Sequence, residues 1–274
     1  MIAAITAGGR IDAPFARAVG TTVKALVPIA GVTLLDRAID AARAAGARRI
    51  VVVGGNDVRA ACGARVEAVI AESRDGRENV RKALEAGDRS EELVFFASDM
   101  PFIAACDVDA FVRRARGADV ALPLATANDY AAAYPDAPAH ATRIGSECVV
   151  NGSVVYFAPG VALRALDVSQ RLFDARKSLW RMAALLGPAL LVRFALGTLG
   201  VADVETRARS LLALEARAVH DASPGLCFDI DSFEDYRYVT ALTRPSSDQL
   251  SRNASVQELG DTVRDAPRGV GPAQ

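Results

Sequence analysis

Cysteine and histidine are scarce in this 274-residue chain, with four of the first and two of the second. Cys62, Cys106, Cys148 and Cys227 form no C-x-x-C pair, and His140 and His220 stand apart from them. That spacing excludes a structural zinc site of the usual kind. Scattered thiols fit a reducing compartment and read as small buried apolar residues. An excess of one charge is also missing. The net charge is −1, so nothing electrostatic points to a nucleic-acid partner. Nor is there a long unbroken apolar run. The richest stretch, residues 179–202, is interrupted by Arg181, Pro188 and Arg193, so no transmembrane segment is expected. The first residues carry no basic n-region, and their apolar run is too short for a signal peptide, so a cytoplasmic protein is expected.

What is present is an ample apolar fraction and an alternation of short strands with amphipathic helices. Residues 2–10 read IAAITAGGR: a buried strand that stops at two glycines and an arginine. Glycines after a strand permit a tight turn and close approach of the backbone to something bulky, and the arginine suggests an anion. Residues 11–31 read as irregular. Residues 33–47 have helical spacing, and 48–55 (RRIVVVGG) read as a second strand ending on glycines. Residues 66–72 predict a strand, 76–87 a helix, 92–101 (ELVFFASDMP) a strand, 108–117 a helix capped by Asp107, and 118–124 a strand. Residues 125–147 read as loop, and 148–160 as a strand interrupted at Asn151-Gly152. Residues 161–216 are helical in pattern, 226–231 (LCFDID) a last short strand, and 232–242 a last helix with Asp231 or Ser232 as its N-cap. The pattern predicts one α/β domain over residues 1–242, in which 161–216 is a helical elaboration, with a disordered tail over 243–274. A homo-oligomer is left open.

Three places carry groups suited to chemistry: Ala7-Gly8-Gly9-Arg10 with Lys24 downstream, Ser98-Asp99-Met100-Pro101, and Asp229-Ile230-Asp231. Apart from Lys24, each falls at the C-terminal end of an expected strand, where open α/β sheets bind ligands. A glycine turn aims backbone N–H groups at phosphate, and Arg10 and Lys24 neutralise its charge. Asp99 and the Asp229/Asp231 pair offer oxygen ligands for Mg²⁺. Each also has a plainer reading: a simple turn, a solvated lysine, a turn-capping aspartate, a helix cap. The glycines lack the G-x-G-x-x-G spacing of a dinucleotide-binding turn, which disfavours a nicotinamide-dependent dehydrogenase.

In order along the chain stand TAGGR, VKALVPIAGVTLLDRAI, SDMPF and FDIDSFEDY. Over roughly residues 2–240 this sequence resembles the molybdenum-cofactor guanylyltransferase-like family of nucleotidyltransferases. The resemblance implies a three-layer Rossmann-like fold of glycosyltransferase-A type, with a mostly parallel central sheet and helices on both faces. It implies that Ala7, Gly8, Gly9 and Arg10 wrap nucleotide phosphates, that Lys24 contacts them as charge moves, and that Asp99 binds Mg²⁺ with Asp229 or Asp231. Arg10, Lys24 and Asp99 are then the catalytic set. Asn79, in GRENV, is placed at base and ribose. Asn151, Gly152 and Ser153 are placed at the acceptor, with a strand bulge as the equal alternative.

The implied reaction joins an NMP from an NTP, GTP or CTP by resemblance, to a phosphorylated small-molecule acceptor with release of pyrophosphate. An acceptor phosphate is already anionic, so no general base is needed. Two features depart from the family. The stretch from Gly9 to Lys24 is longer than the usual loop, with Arg17 as a candidate for its second arginine, and residues 161–216 lie outside the minimal core. Two alternatives stand beside the main reading: a sugar- or alcohol-phosphate nucleotidyltransferase, and a nucleotide-binding regulatory protein without catalysis.

Overall fold

The computed structural model describes residues 1–87, 89–138, 141–144, 147–175 and 187–244. The chain begins with β1 (Ile2–Thr6), a short helix α1 (Ala13–Val19), and a two-residue ribbon of β2 (Pro28–Ile29) and β3 (Val32–Thr33). There follow α2 (Leu34–Ala44), β4 (Arg49–Gly54), α3 (Asn56–Cys62), β5 (Ala68–Ala71), α4 (Gly76–Glu85), β6 (Leu93–Ala97) and α5 (Ala105–Ala115). The second half runs β7 (Val120–Thr126), α6 (Ala127–Ala133), β8 (Thr142–Ile144), β9 (Glu147–Asn151), β10 (Val154–Phe157), α7 (Ala162–Ala175), α8 (Pro188–Ala195), α9 (Val201–Leu212), β11 (Ala216–Val219) and α10 (Phe233–Leu242).

Strands β5, β4, β1 and β6 are parallel neighbours. β10 lies antiparallel between β6 and β7, and β11 runs parallel to β7. β6, β7 and β11 therefore share one direction, and the central sheet is mostly parallel, as expected. Side chains alternate across it. Ala3 and Ile5 of β1 face the larger core with α2 and α5, while Ala4 faces a second core with Ala83 and Leu84 of α4 and Ala165 of α7. Helices thus cover both faces, and the near-continuous apolar run of each central strand follows from that double burial.

β9 and β10 pair with β7 in turn. From Asn151 to Tyr156 the chain advances five residues, against three from Leu124 to Ala121 on β7. The excess is a bulge at Gly152-Ser153. A Cβ on Gly152 would lie 2.5 Å from the carbonyl oxygen of Leu226 and from Cγ of Pro123, so only glycine fits.

Four local expectations are corrected. Residues 11–31 are not irregular: Asp12 caps α1 by accepting from Phe15 N at 2.9 Å, and Gly20 closes it at φ 77°. The stretch 125–147 holds α6 and β8, because Thr126 caps a helix through Asp129 N at 3.0 Å. Asp107 is not the cap of α5. It sits in the first turn and accepts from Ser223 Oγ at 2.7 Å. The last strand is β11, not residues 226–231. That segment is apolar because Leu226, Phe228 and Ile230 are fully buried, yet its backbone crosses the end of the sheet without a ladder, with Ile230 N on Asp99 O at 3.0 Å. A short apolar run does not by itself distinguish the two. Cys62 and Cys227 are buried as expected, while Cys106 and Cys148 are exposed. No helix among the described residues is long and apolar enough to cross a membrane. The expected tail lies, from residue 245, outside the described residues.

Candidate active site

Where the parallel strands end, their loops form a cleft of about 620 Å³, within the range of about 300–1,000 Å³ typical of small-molecule sites. Gly8, Gly9 and Arg10 enter it from β1, Glu72, Ser73 and Arg74 from β5, Asn79 from α4, and Ser98 and Asp99 from β6. Lys24 joins them although it is far along the chain. A bridge between Arg10 and Val23 and the bond from Lys24 N to Gly9 O, 2.9 Å, close the long first loop at its base. The extra length is taken up by α1, which Phe15 anchors against Phe233 and Tyr236 at 5.4 and 5.2 Å between ring centroids. Lys24 is thereby returned to the glycine turn. Arg17 is not. It is exposed and lines a separate surface depression with Thr21 and Asp57.

Lys24 Nζ donates to Asp99 Oδ2 at 2.6 Å and to Asp231 Oδ1 at 2.7 Å. Burial alone would lower the pKa of the ammonium, but the Asp99 charge and the two hydrogen bonds outweigh it and hold the pKa above its ordinary value. Ile230 N on Asp99 O places Asp229 beside Asp99. Asp229 Oδ2 accepts from Ser153 Oγ at 2.6 Å. Burial first, then the Asp99 charge, pushes Asp229 up to about 7. The second oxygens, Asp99 Oδ1 and Asp229 Oδ1, are buried and have no hydrogen-bond partner. Buried carboxylate oxygens left so are costly unless a cation or donor meets them. Among the described residues no three acidic, histidine or cysteine side chains form a metal cage on their own. Two carboxylate oxygens beside this cleft nevertheless suit Mg²⁺, which takes one or two carboxylates and completes its shell with water and phosphate oxygens. Asp231 is turned to Lys24 and its side chain is 68 % exposed, so the orphaned oxygen belongs to Asp229. Ser232 caps α10 in a reciprocal box with Asp235.

The other expected residues divide. Ala7 is buried, with its N–H on Val53 O at 2.8 Å, and does not line the cleft. Asn79 lines it, but its amide is bonded at both ends to Ser73, accepting from N at 2.6 Å and donating to O at 3.0 Å. It shapes the Glu72–Arg74 loop. Asn151 lines a small adjoining recess with Cys227, Asp229 and Asp231. Ser153 holds Asp229, and Gly152 makes the bulge that puts Ser153 there.

Glu72 is a site residue that sequence reasoning misses. Its carboxylate forms an ion pair with Arg10, whose Nη1 also donates to Gly8 O at 2.8 Å. A Cβ on Gly8 would lie 2.4 Å from Glu72 Oε2, so the glycine turn makes room for this carboxylate. Arg74, exposed on the rim, is another. The available signal is position: Glu72 follows its strand directly, as Gly8 and Asp99 nearly follow theirs.

Residues 3–219 match the family model of the MobA-like NTP transferase domain. No curated protein sequence matches the chain. Among solved structures, a hypothetical transferase from Thermus thermophilus is similar at 27 % identity and a TM-score of 0.73, over 85 % of this chain and 98 % of that one. A 2-C-methyl-D-erythritol 4-phosphate cytidylyltransferase, also from Thermus thermophilus, shares the fold at 16 % identity and a TM-score of 0.51, over 89 % and 100 %. So does a CMP:2-keto-3-deoxy-manno-octonic acid synthetase complexed with CTP, at 15 % and 0.52, over 88 % and 95 %. With the glycine turn, the returned lysine and Asp99 in one cleft, Asp229 in the recess beside it, and a family match over most of its length, this chain belongs to the MobA-like NTP transferase family and is a nucleotidyltransferase.

Proposed function

We propose that the protein transfers an NMP from an NTP to a phosphorylated small-molecule acceptor, with Mg²⁺ and release of pyrophosphate, in the manner of a molybdenum-cofactor guanylyltransferase. The observation that carries this reading is the pair of buried, unpartnered oxygens of Asp99 and Asp229 beside Lys24. A divalent cation brought in with the nucleotide would meet both oxygens.

An acceptor phosphate oxygen attacks the α-phosphorus in line. The bond from that phosphorus to the bridging oxygen breaks, and its electron pair leaves on pyrophosphate. The nucleophile is already an anion, so no side chain must take a proton. Gly8, Gly9, Arg10 and Arg74 bind the triphosphate, Lys24 neutralises its developing charge, and Asp99 and Asp229 would hold Mg²⁺. The bound ion supplies charge neutralisation and in-line alignment. Asn151 and the recess beside Asp229 receive the acceptor. Of the two nucleotides that the resemblance implies, GTP is the one proposed over CTP. Guanine presents two adjacent N–H donors to a carboxylate, and Glu72 is free to accept them once Arg10 turns to phosphate. A sugar- or alcohol-phosphate acceptor is the second reading, favoured by the shared fold of the 2-C-methyl-D-erythritol 4-phosphate cytidylyltransferase.

A thermal-shift comparison of ATP, GTP, CTP and UTP, with and without Mg²⁺, tests the proposal. GTP with Mg²⁺ stabilises the wild type most. Asp99→Asn keeps the fold, loses the Mg²⁺-dependent part, and lowers pyrophosphate release by about a hundredfold or more. Full activity of Asp99→Asn removes Asp99 from the mechanism.

A further inference from the structure

Three carboxylates, Asp99, Asp229 and Asp231, meet at the sheet edge. Among the described residues, the cation in hydrogen-bond contact with them is Lys24, since Arg10 is engaged by Glu72 and by the carbonyls of Gly8 and Gly9. Lys24 takes one oxygen of Asp99 and one of Asp231. It sits where positive charge is needed and where a divalent cation would otherwise supply it.

Its backbone cannot move far, being tied to Gly9 O and flanked by the Arg10–Val23 bridge. Its stem can. A Cβ on Gly9 would touch Lys24 Cβ and Cδ at 3.4 and 3.5 Å, so the chain of methylenes runs over the glycine turn. The ammonium, with rotatable donors on a flexible stem, lies one swing from any phosphate seated on that turn.

We propose that Lys24 is a placeholder for the metal in the nucleotide-free protein, so that the divalent cation and the NTP bind as a pair and neither binds well alone. The inference rests on the transferase reading of the site. While the ammonium holds Asp99 Oδ2, it neutralises that carboxylate and repels a second cation brought to Oδ1 at close range. A triphosphate draws the ammonium away, and the carboxylates are left without counter-charge until a divalent cation arrives. By reciprocity, a bound metal expels Lys24 toward the phosphates and raises NTP affinity by the same factor.

Mn²⁺ binding to nucleotide-free protein, read as loss of the free-ion electron paramagnetic resonance signal, tests this. Lys24→Gln binds Mn²⁺ at least about tenfold tighter than the wild type, the scale of one charged hydrogen bond. Adding Asp99→Asn to that variant abolishes the gain. Lys24→Met, which keeps the apolar stem and cannot donate, gives the same result and covers failure of the Gln variant to fold. If the Lys24 variants bind Mn²⁺ no better than the wild type, the placeholder role is overturned while the transferase site stands. If neither the wild type nor the variants bind Mn²⁺ even with NTP present, the metal site and the inference fall together.

Discussion

At the scale of single residues, the site is a problem of charge in a small volume. Asp229 is the clearest case. Its carboxyl is pushed from 3.8 up to about 7 by burial and by Asp99. The folded state therefore holds its proton more tightly than the unfolded state does. This group's contribution to stability falls as pH rises from about 4 to 7 and stays low above that. Asp229→Asn relieves the cost. In the absence of divalent metal, its melting temperature should exceed that of the wild type by a margin that widens from about pH 5 to pH 8. A margin that does not change with pH would remove Asp229 as a buried ionising group. Residue types alone point to Asp99, Lys24 and the Asp229/Asp231 pair. Which aspartate of the pair faces the cleft is not legible, because that depends on a serine hydroxyl 76 residues away. Glu72 is silent for a similar reason: a lone glutamate after a strand is ordinary until Arg10 and Gly8 are seen around it.

At the scale of elements, the long first loop is the instructive departure. Its ends are pinned together at Arg10–Val23, and the surplus is wound into α1. This makes α1 an insertion that leaves the geometry of the turn intact. Asp12→Ala, which removes the cap, should cost about 1 kcal/mol in denaturant unfolding. NTP affinity should stay near that of the wild type. A large fall in affinity would show that α1 itself holds the nucleotide. Helices with a strong apolar stripe, such as α2 and α5, and strands buried on both faces are legible from periodicity. The short α1 and α6 are not. Each has seven residues, too few to establish a period, and each is specified mainly by its cap. β11 is not announced in the sequence: it opens at the last residue of the stretch that reads as helical, with three residues between it and α9. Its outer edge is then closed by α9 itself, through Glu205 on Ala218 N and Arg209 on Ala216 O, a device for covering a strand edge that no local pattern announces.

At the scale of the whole molecule, the order of motifs along the chain is the most legible feature, because each falls at the same edge of a mostly parallel sheet. What that order does not show is how the last motif is held. The Asp229 segment has no ladder of its own. It hangs from Asp99 O through Ile230 N and from Ser153 N through Leu226 O. Its contacts reach back 131 residues to Asp99 and, through Asp231, 207 residues to Lys24, so they close the largest loops in the site and form late. Refolding should show this as a delay: far-UV circular dichroism returns first, and Mg²⁺–NTP binding, followed by a fluorescent nucleotide, returns in a slower phase. Coincident recovery would mean that the segment docks with the sheet. The crossing without a ladder thus ties a working site to a nearly finished chain. A chain still lacking residue 229 has one ligand carboxylate instead of two and also lacks Phe233 and Tyr236, against which Phe15 anchors the first loop, so the site is complete only after nearly all of the described fold has been made.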